Sequence, residues 1–124
     1  TRQEMINYAK DNPDAPKHID KPKGSTKKFG GEVKIILPFD YGEWPHLINP
    51  ADNMGWDLIV VPSSNANDEN LLPVGYGADN ENKPTALFND KIILAPNHNY
   101  SSNDRETIED VFKSMDYFDN PVWY

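Results

Sequence analysis

A chain of 124 residues with no cysteine and a formal net charge of -8 has the length of one domain, able to bury about two-thirds of its unfolded surface without cross-links. The missing thiols exclude disulfides, zinc–thiolate sites and thiol nucleophiles, and the acidic balance excludes a general binder of duplex nucleic acid, which shows a basic face. No apolar run approaches the roughly 18 residues that cross a bilayer and no signal-peptide pattern opens the chain, so the sequence predicts a soluble protein with no membrane partner, cytoplasmic or delivered by secretion.

In chain order, residues 1 to 17 predict an N-terminal arm or short helix: Met5, Ile6 and Ala9 share one helical face, and Asn12-Pro13 and Ala15-Pro16 stop it. Lys17 to Lys28 is rich in Lys, Pro and Gly. Glu32 to Pro38 then supplies an apolar run of strand length, Val33, Ile35, Ile36 and Leu37. Leu58 to Pro62 and Lys91 to Pro96 repeat that form, each closed by proline, and Leu71 to Tyr76 adds a fourth. Short strands separated by Asn, Asp and Gly turns predict a small closed or curled antiparallel barrel. Ser102-Asn103-Asp104 offers N-caps, after which Ile108, Val111, Phe112 and Met115 recur at helical spacing until Asn120-Pro121. Strands followed by one amphipathic helix packed on them predict an α+β fold that is mainly β.

Four clusters carry chemistry. In Ala51-Asp52-Asn53-Met54-Gly55-Trp56-Asp57, a tight turn leading into the apolar run Leu58 to Val61 can aim Asp52 and Asp57 into one cleft. Hard oxygen ligands so placed suit Mg²⁺, which is bound through one or two carboxylates plus substrate phosphate oxygens. His18 to Phe29 crowds four lysines into a bent segment and suits a small polyanion, against the alternative of a solvated lysine loop. Tyr41 and Trp44 lie in an aromatic turn and are either a ligand hydroxyl and its neighbour or core aromatics. Asp90-Lys91 opens a strand with a carboxylate and an ammonium, in a site or as a surface ion pair. The scattered His18, His46 and His98 read as surface or packing residues.

The order of these clusters resembles the soluble inorganic pyrophosphatases. That family carries an acidic-x-Pro-Lys-Gly-Ser-x-x-Lys-aromatic segment, then Pro-x-x-Tyr-Gly, then Asp-x-Asp-x-x-Asp before a strand. Here these are Asp20 to Phe29, Pro38-Phe39-Asp40-Tyr41-Gly42, and Asp52-Asn53-Met54-Gly55-Trp56-Asp57. Pro73-Val74-Gly75, Asp90-Lys91, Pro96 and the segment Phe112 to Tyr117 are similar to later family features, so the likeness spans residues 18 to 118. It implies a single pyrophosphatase-like domain over residues 18 to 124, an oligonucleotide-binding type barrel, and Mg²⁺-dependent hydrolysis of pyrophosphate. By the same resemblance Asp20 takes the place of a site glutamate, Lys28 and Lys91 of phosphate-binding lysines, and Tyr41 of a site tyrosine. Asp52, Asp57 and Asp90 take those of metal ligands, with Asp79 and Glu81 weaker candidates, and Tyr117 that of a hydroxyl donor to the leaving phosphate.

Three departures accompany the likeness. Met54 occupies the place of the middle aspartate, the residue that helps deprotonate the attacking water, and a thioether can neither take that proton nor ligate Mg²⁺. The family's arginine hairpin has no counterpart, because nine residues separate Lys28 from Pro38, and Phe118 takes the place of a second phosphate-binding lysine. The proton-accepting role then falls between Asp40 and Asp20.

The leading expectation is Mg²⁺-dependent hydrolysis of a phosphoanhydride, pyrophosphate or a nucleotide. The chain, opening at Thr1, reads as a trimmed start or as a toxin domain of a larger secreted protein, with a parent polypeptide or an inhibitor protein as partner. A second reading keeps the barrel and some phosphate affinity without catalysis. A third takes the resemblance as accidental and the chain as a small acidic interaction domain, with Trp44, Trp56 and Trp123 in core or contact roles. The sequence leaves the oligomeric state open.

Overall fold

Two four-residue apolar runs, Leu58 to Val61 and Ile92 to Ala95, are buried at every position, which a strand allows only if both faces of its sheet are covered. The structure, a computed structural model, describes residues 2–29, 33–49, 53–80, 89–115 and 118–124. Its elements are α1 (Arg2–Asp11), β1 (His18–Lys21), β2 (Thr26–Phe29), β3 (Val33–Ile36), β4 (Tyr41–Asn49), β5 (Met54–Val60), β6 (Leu71–Gly77), β7 (Lys91–Pro96), α2 (Ser102–Lys113) and β8 (Val122–Trp123). The main sheet runs β1-β4-β5-β7-β6-β8, and β2 pairs with β3 as a separate antiparallel hairpin.

Alternation along the central strands divides the core in two. Leu58, Val60, Ile92 and Leu94 join Trp44, Trp56 and Leu71 on one face, where α1 covers them with Met5, Ile6 and Ala9. Ile59, Val61, Ile93 and Ala95 join Tyr41, Val74, Leu37 and Phe39 on the other, under Ile108, Val111 and Phe112 of α2. A ten-residue helix is marginal alone, so α1 owes its order to this packing and to Arg2, whose Nε meets Asp90 Oδ2 at 2.8 Å.

The expected class is present: a mainly β sheet with a C-terminal helix packed on it. The sheet is mixed, because β5 and β7 run parallel. Among the described residues its edges β1 and β8 do not pair to close it. The β2–β3 hairpin instead folds back over the α2 face, with Ile35 against that core and a backbone bond from Leu37 N to Ser25 O at 2.8 Å.

Three local features differ from expectation. The aromatic turn Tyr41 to Pro45 is part of the nine-residue β4, and the register shift between Trp44 and Ile48 is the irregularity that admits Pro45, which cannot donate to a ladder. Gly55 is a strand residue paired with Ile48; the chain turns at Asn53, whose φ of 58° is left-handed. The cap of α2 is Ser101: its hydroxyl accepts from Asp104 N while Asp104 Oδ2 accepts from Ser101 N, each at 3.0 Å. That helix ends at Ser114, whose hydroxyl donates to Val111 O at 2.6 Å, before the expected stop at Asn120-Pro121. No described helix is long and apolar enough to cross a membrane.

Candidate functional site

Side chains directly opposite one another on neighbouring strands share a face, and one rung of this sheet carries titratable side chains on four adjacent strands. His18 of β1 lies opposite Glu43 of β4, Glu43 opposite Asp57 of β5, and Asp57 opposite Lys91 of β7. The rung continues the α2 face beyond Ile59 and Ile93, where the apolar core gives way to polar groups.

Lys91 and Tyr41 converge on one oxygen. Lys91 Nζ donates to Asp57 Oδ2 at 2.8 Å and Tyr41 Oη donates to the same atom at 3.0 Å. The lysine side chain is 4% exposed and the aspartate 27%. Burial works against the ammonium, yet Tyr41 and Asp57 outweigh it and hold Lys91 above the ordinary lysine value. The Tyr41 hydroxyl is pushed up to about 12, chiefly by burial, with Lys91 pulling the other way. It is therefore a neutral donor at physiological pH.

Around this centre, Lys27 of β2 brings its ammonium to 4.5 Å from the Tyr41 ring centroid. Burial and the neighbouring Lys91 and Lys21 charges lower its pKa, against Asp57 and Asp20. Asn89, in the helical turn just before β7, places Oδ1 at 3.4 Å from Lys91 Nζ and donates from Nδ2 to Asp79 Oδ2 at 2.8 Å. Phe118 sets its ring centroid 5.3 Å from the same ammonium. Asp20, in the register shift between Ile19 and Lys21, pairs with His18 at 3.0 Å on the exposed side of the site. Burial, with the charges of Asp20 and Asp57, holds Glu43 above the usual glutamate range, against His18 and the Gly55 backbone.

Of the residues singled out from sequence, Tyr41, Asp57 and Lys91 therefore meet in direct contact, with Asp20 at the margin. Lys28 is exposed on the outer face of its hairpin opposite Lys34, and Lys27 is the lysine that faces Tyr41. Asp90 points to the other face, its side chain fully buried against Arg2. Asp40 is engaged in stitching loops together, accepting from Lys23 N and Ala66 N at 2.8 and 2.9 Å. Asp52, Glu81 and Tyr117 lie outside the described residues. Lys27, Glu43 and Asn89 were missed from sequence, although Glu43 follows from strand alternation, two residues after Tyr41.

The likeness of fold extends to a solved structure. The crystal structure of an inorganic pyrophosphatase from Neisseria gonorrhoeae is similar at a TM-score of 0.50 and 18% sequence identity, over 82% of this chain and 71% of that one. No family model matches the chain, and no curated protein sequence does. The protein thus has a pyrophosphatase-like fold.

Among the described residues no group of three or more His, Cys, Asp or Glu side chains is arranged to hold a metal. What the rung offers is a pair of acceptor-only carboxylates, Glu43 and Asp57. Gly55 lets β4 and β5 approach closely: a Cβ there would run into the Trp44 carbonyl and come to 3.2 Å from Glu43 Cβ. Two hard carboxylates beside two ammonium groups match Mg²⁺ in donor type, an ion that completes its shell with water and other oxygens.

Proposed function

We propose that this protein hydrolyses a phosphoanhydride, pyrophosphate or the polyphosphate of a nucleotide, with Mg²⁺. The observation that carries the reading is the convergence of Lys91 and Tyr41 on Asp57, with Lys27 alongside, in a pyrophosphatase-like fold. Asp57 would hold the metal, which when bound supplies charge neutralisation on the anhydride oxygens.

The remaining roles belong to the chain itself. Lys27 and Lys91 are the cations that hold phosphoryl oxygens, and their partial or full burial strengthens that attraction relative to water. Tyr41, neutral because its pKa is about 12, donates a hydrogen bond without adding charge. Phe118 beside Lys91 excludes water from one side of the ammonium. A cation held at Asp57 would compete with Lys91 for the carboxylate, and the ammonium would then be available to an incoming anion.

Phosphate release from pyrophosphate, ATP and GTP, measured with and without Mg²⁺ on wild type and Asp57→Asn, tests the reading. Mg²⁺-dependent release that falls by about 10² or more in folded Asp57→Asn is expected. Absence of release from all three substrates overturns it and leaves a phosphate-binding module without catalysis, the reading that Met54 and Phe118 favour.

A further inference from the structure

A cavity of about 380 Å³ opens beside α1, on the sheet face opposite the rung of Glu43, Asp57 and Lys91. Small-molecule pockets begin at about 300 Å³. Gln3, Ile6 and Lys10, spaced to share one side of the helix, form a stripe of α1 along it. Pro73 of β6, His98 of the turn after β7 and Tyr124 beyond β8 complete its walls.

The lining is of two kinds. Ile6 and Pro73 are buried, and beside them stands the Tyr124 ring, held by the backbone bond from Tyr124 N to Val74 O at 3.0 Å and by the Tyr76 ring at 6.2 Å. Such a slot suits a flat apolar body. The polar groups are uncommitted donors: Lys10 and His98 make no ion pair or side-chain hydrogen bond among the described residues, whereas Gln3 spends its amide nitrogen on Asn7 Oδ1 at 2.9 Å. His98 is also fixed in place. Asn97 and His98 both take left-handed backbone, with φ of 53° and 63°, which a β-carbon disfavours. Bonds from Asn97 N to Asn70 O at 3.0 Å and from His98 N to Ala95 O at 3.3 Å hold that turn, and the Asn70 amide bonds the Asn97 side chain. Over-determined strain of this kind collects at ligand clamps.

We propose that this cavity binds a small aromatic anion, its ring against Ile6, Pro73 and Tyr124 and its acidic group on Lys10 and His98. Lys10 supplies the charge, and His98 donates an N–H in either tautomer. A carboxylate accepts both bonds through its two oxygens. In a chain of net charge -8, an uncommitted ammonium beside an apolar slot selects against cations and leaves bare inorganic anions with no body to bury. Binding here does not rest on the hydrolase reading.

Amide chemical shifts of the nitrogen-labelled chain, titrated with 2-naphthoate, with the uncharged 2-naphthylmethanol and with inorganic phosphate, test the site on wild type, Lys10→Met, Tyr124→Ala and the remote Lys113→Met. Lys10 and Tyr124 are exposed, Tyr124 at 60%, so both variants should keep the wild-type spectrum elsewhere. The expected result is saturable naphthoate binding, at about the millimolar affinity of a ligand that size, with shifts centred on α1, Val74, His98 and Tyr124. Binding is expected to weaken about tenfold in Lys10→Met and for 2-naphthylmethanol, about threefold or more in Tyr124→Ala, and not at all in Lys113→Met, while phosphate shifts none of these amides. No saturable shift up to about ten times that concentration overturns the proposal, as does equal affinity in Lys10→Met or for the uncharged alcohol. Shifts at the same amides that grow with protein concentration in the absence of ligand overturn it too, and assign this face to a second copy of the chain.

Discussion

Asp57→Asn is expected to cost far more stability than Lys91→Met, although both break the same ion pair. Lys91 is 4% exposed and Asp57 27%, so the surviving charge differs in its access to water. With asparagine at 57 the ammonium stays buried facing a neutral amide. At 2.8 Å and an effective dielectric of roughly 40–60, between protein interior and bulk water, the lost attraction is about 2–3 kcal/mol, below the 3–5 kcal/mol typical of fully buried pairs. At about 2.1 cal/mol/K of unfolding entropy per residue that is a fall in melting temperature of about 8–11 °C, or about 1–1.5 M in urea midpoint for a slope near 2 kcal/mol/M. Lys91→Met fills the same channel with an apolar chain and leaves a carboxylate that water reaches and Tyr41 still bonds, at a cost of about 1 kcal/mol. The double variant, with neither charge buried, is expected to recover part of the Asp57→Asn loss. Because the folded-state pKa of Lys91 is raised, the stability it contributes is complete below the unfolded value of about 10.4 and is lost as pH rises through the folded value. The gap between wild type and Asp57→Asn should therefore be flat from about pH 7 to 9. Equal losses in the two single variants, or an Asp57→Asn loss under about 0.5 kcal/mol, would refute the reasoning.

Two further outcomes are expected. Lys27→Met should lower kcat/KM for the anhydride by about 10² while Lys28→Met stays near wild type; the reverse order would mean that the other face of the hairpin meets the substrate. Asp104→Ala should cost about 2–3 kcal/mol in urea titrations, since it removes the capping box and the bonds from Ser63 N and Oγ at 2.9 and 2.6 Å. Burial pushes Asp104 up, but the bonds from Ser63 and Ser101 outweigh it and hold it below the usual aspartate value. Its contribution is present above an unfolded pKa of about 3.9 and lost as pH falls through the lower folded one, so wild type and variant should converge only below about pH 3.9.

The apolar runs made β5 and β7 legible in the sequence, because strands covered on both faces leave an unbroken hydrophobic record, and α2 was legible through its 3.6-residue period. The strand β4 was hidden by its own composition. Gly42, Pro45 and the aromatics between them are turn residues by propensity, but Gly42 is needed where a Cβ would strike the His18 carbonyl, and Pro45 rides on a register shift. With β4 hidden, the pairing of Glu43 with Asp57 could not be seen, since opposition across a sheet depends on register rather than on spacing. The choice between Lys27 and Lys28 was closed to sequence for the same reason: a one-residue change of register exchanges the faces of a strand. Asp90 shows the limit of a dipeptide pattern. At the entry to β7 the carboxylate beside Lys91 joins Arg2 of α1, while Asn89, in the turn before it, approaches the Lys91 ammonium.

The placement of β7 has a consequence for how this protein is made. That strand lies between β5 and β6 yet follows both in the chain, and α1, first in sequence, packs partly on Ile92 and Leu94. A nascent chain that has reached Gly77 carries Tyr41, Glu43 and Asp57 on a β4–β5 hairpin with no Lys91 to balance them, and an amphipathic helix whose seat is incomplete. Insertion of β7 supplies the missing ammonium and closes both cores together, joining contacts far apart in sequence, a topology that slows folding. The charged centre is therefore a record of completed folding: a truncated or misassembled chain can hold the hairpin that carries Tyr41, Glu43 and Asp57, but not the contact between Lys91 and Asp57.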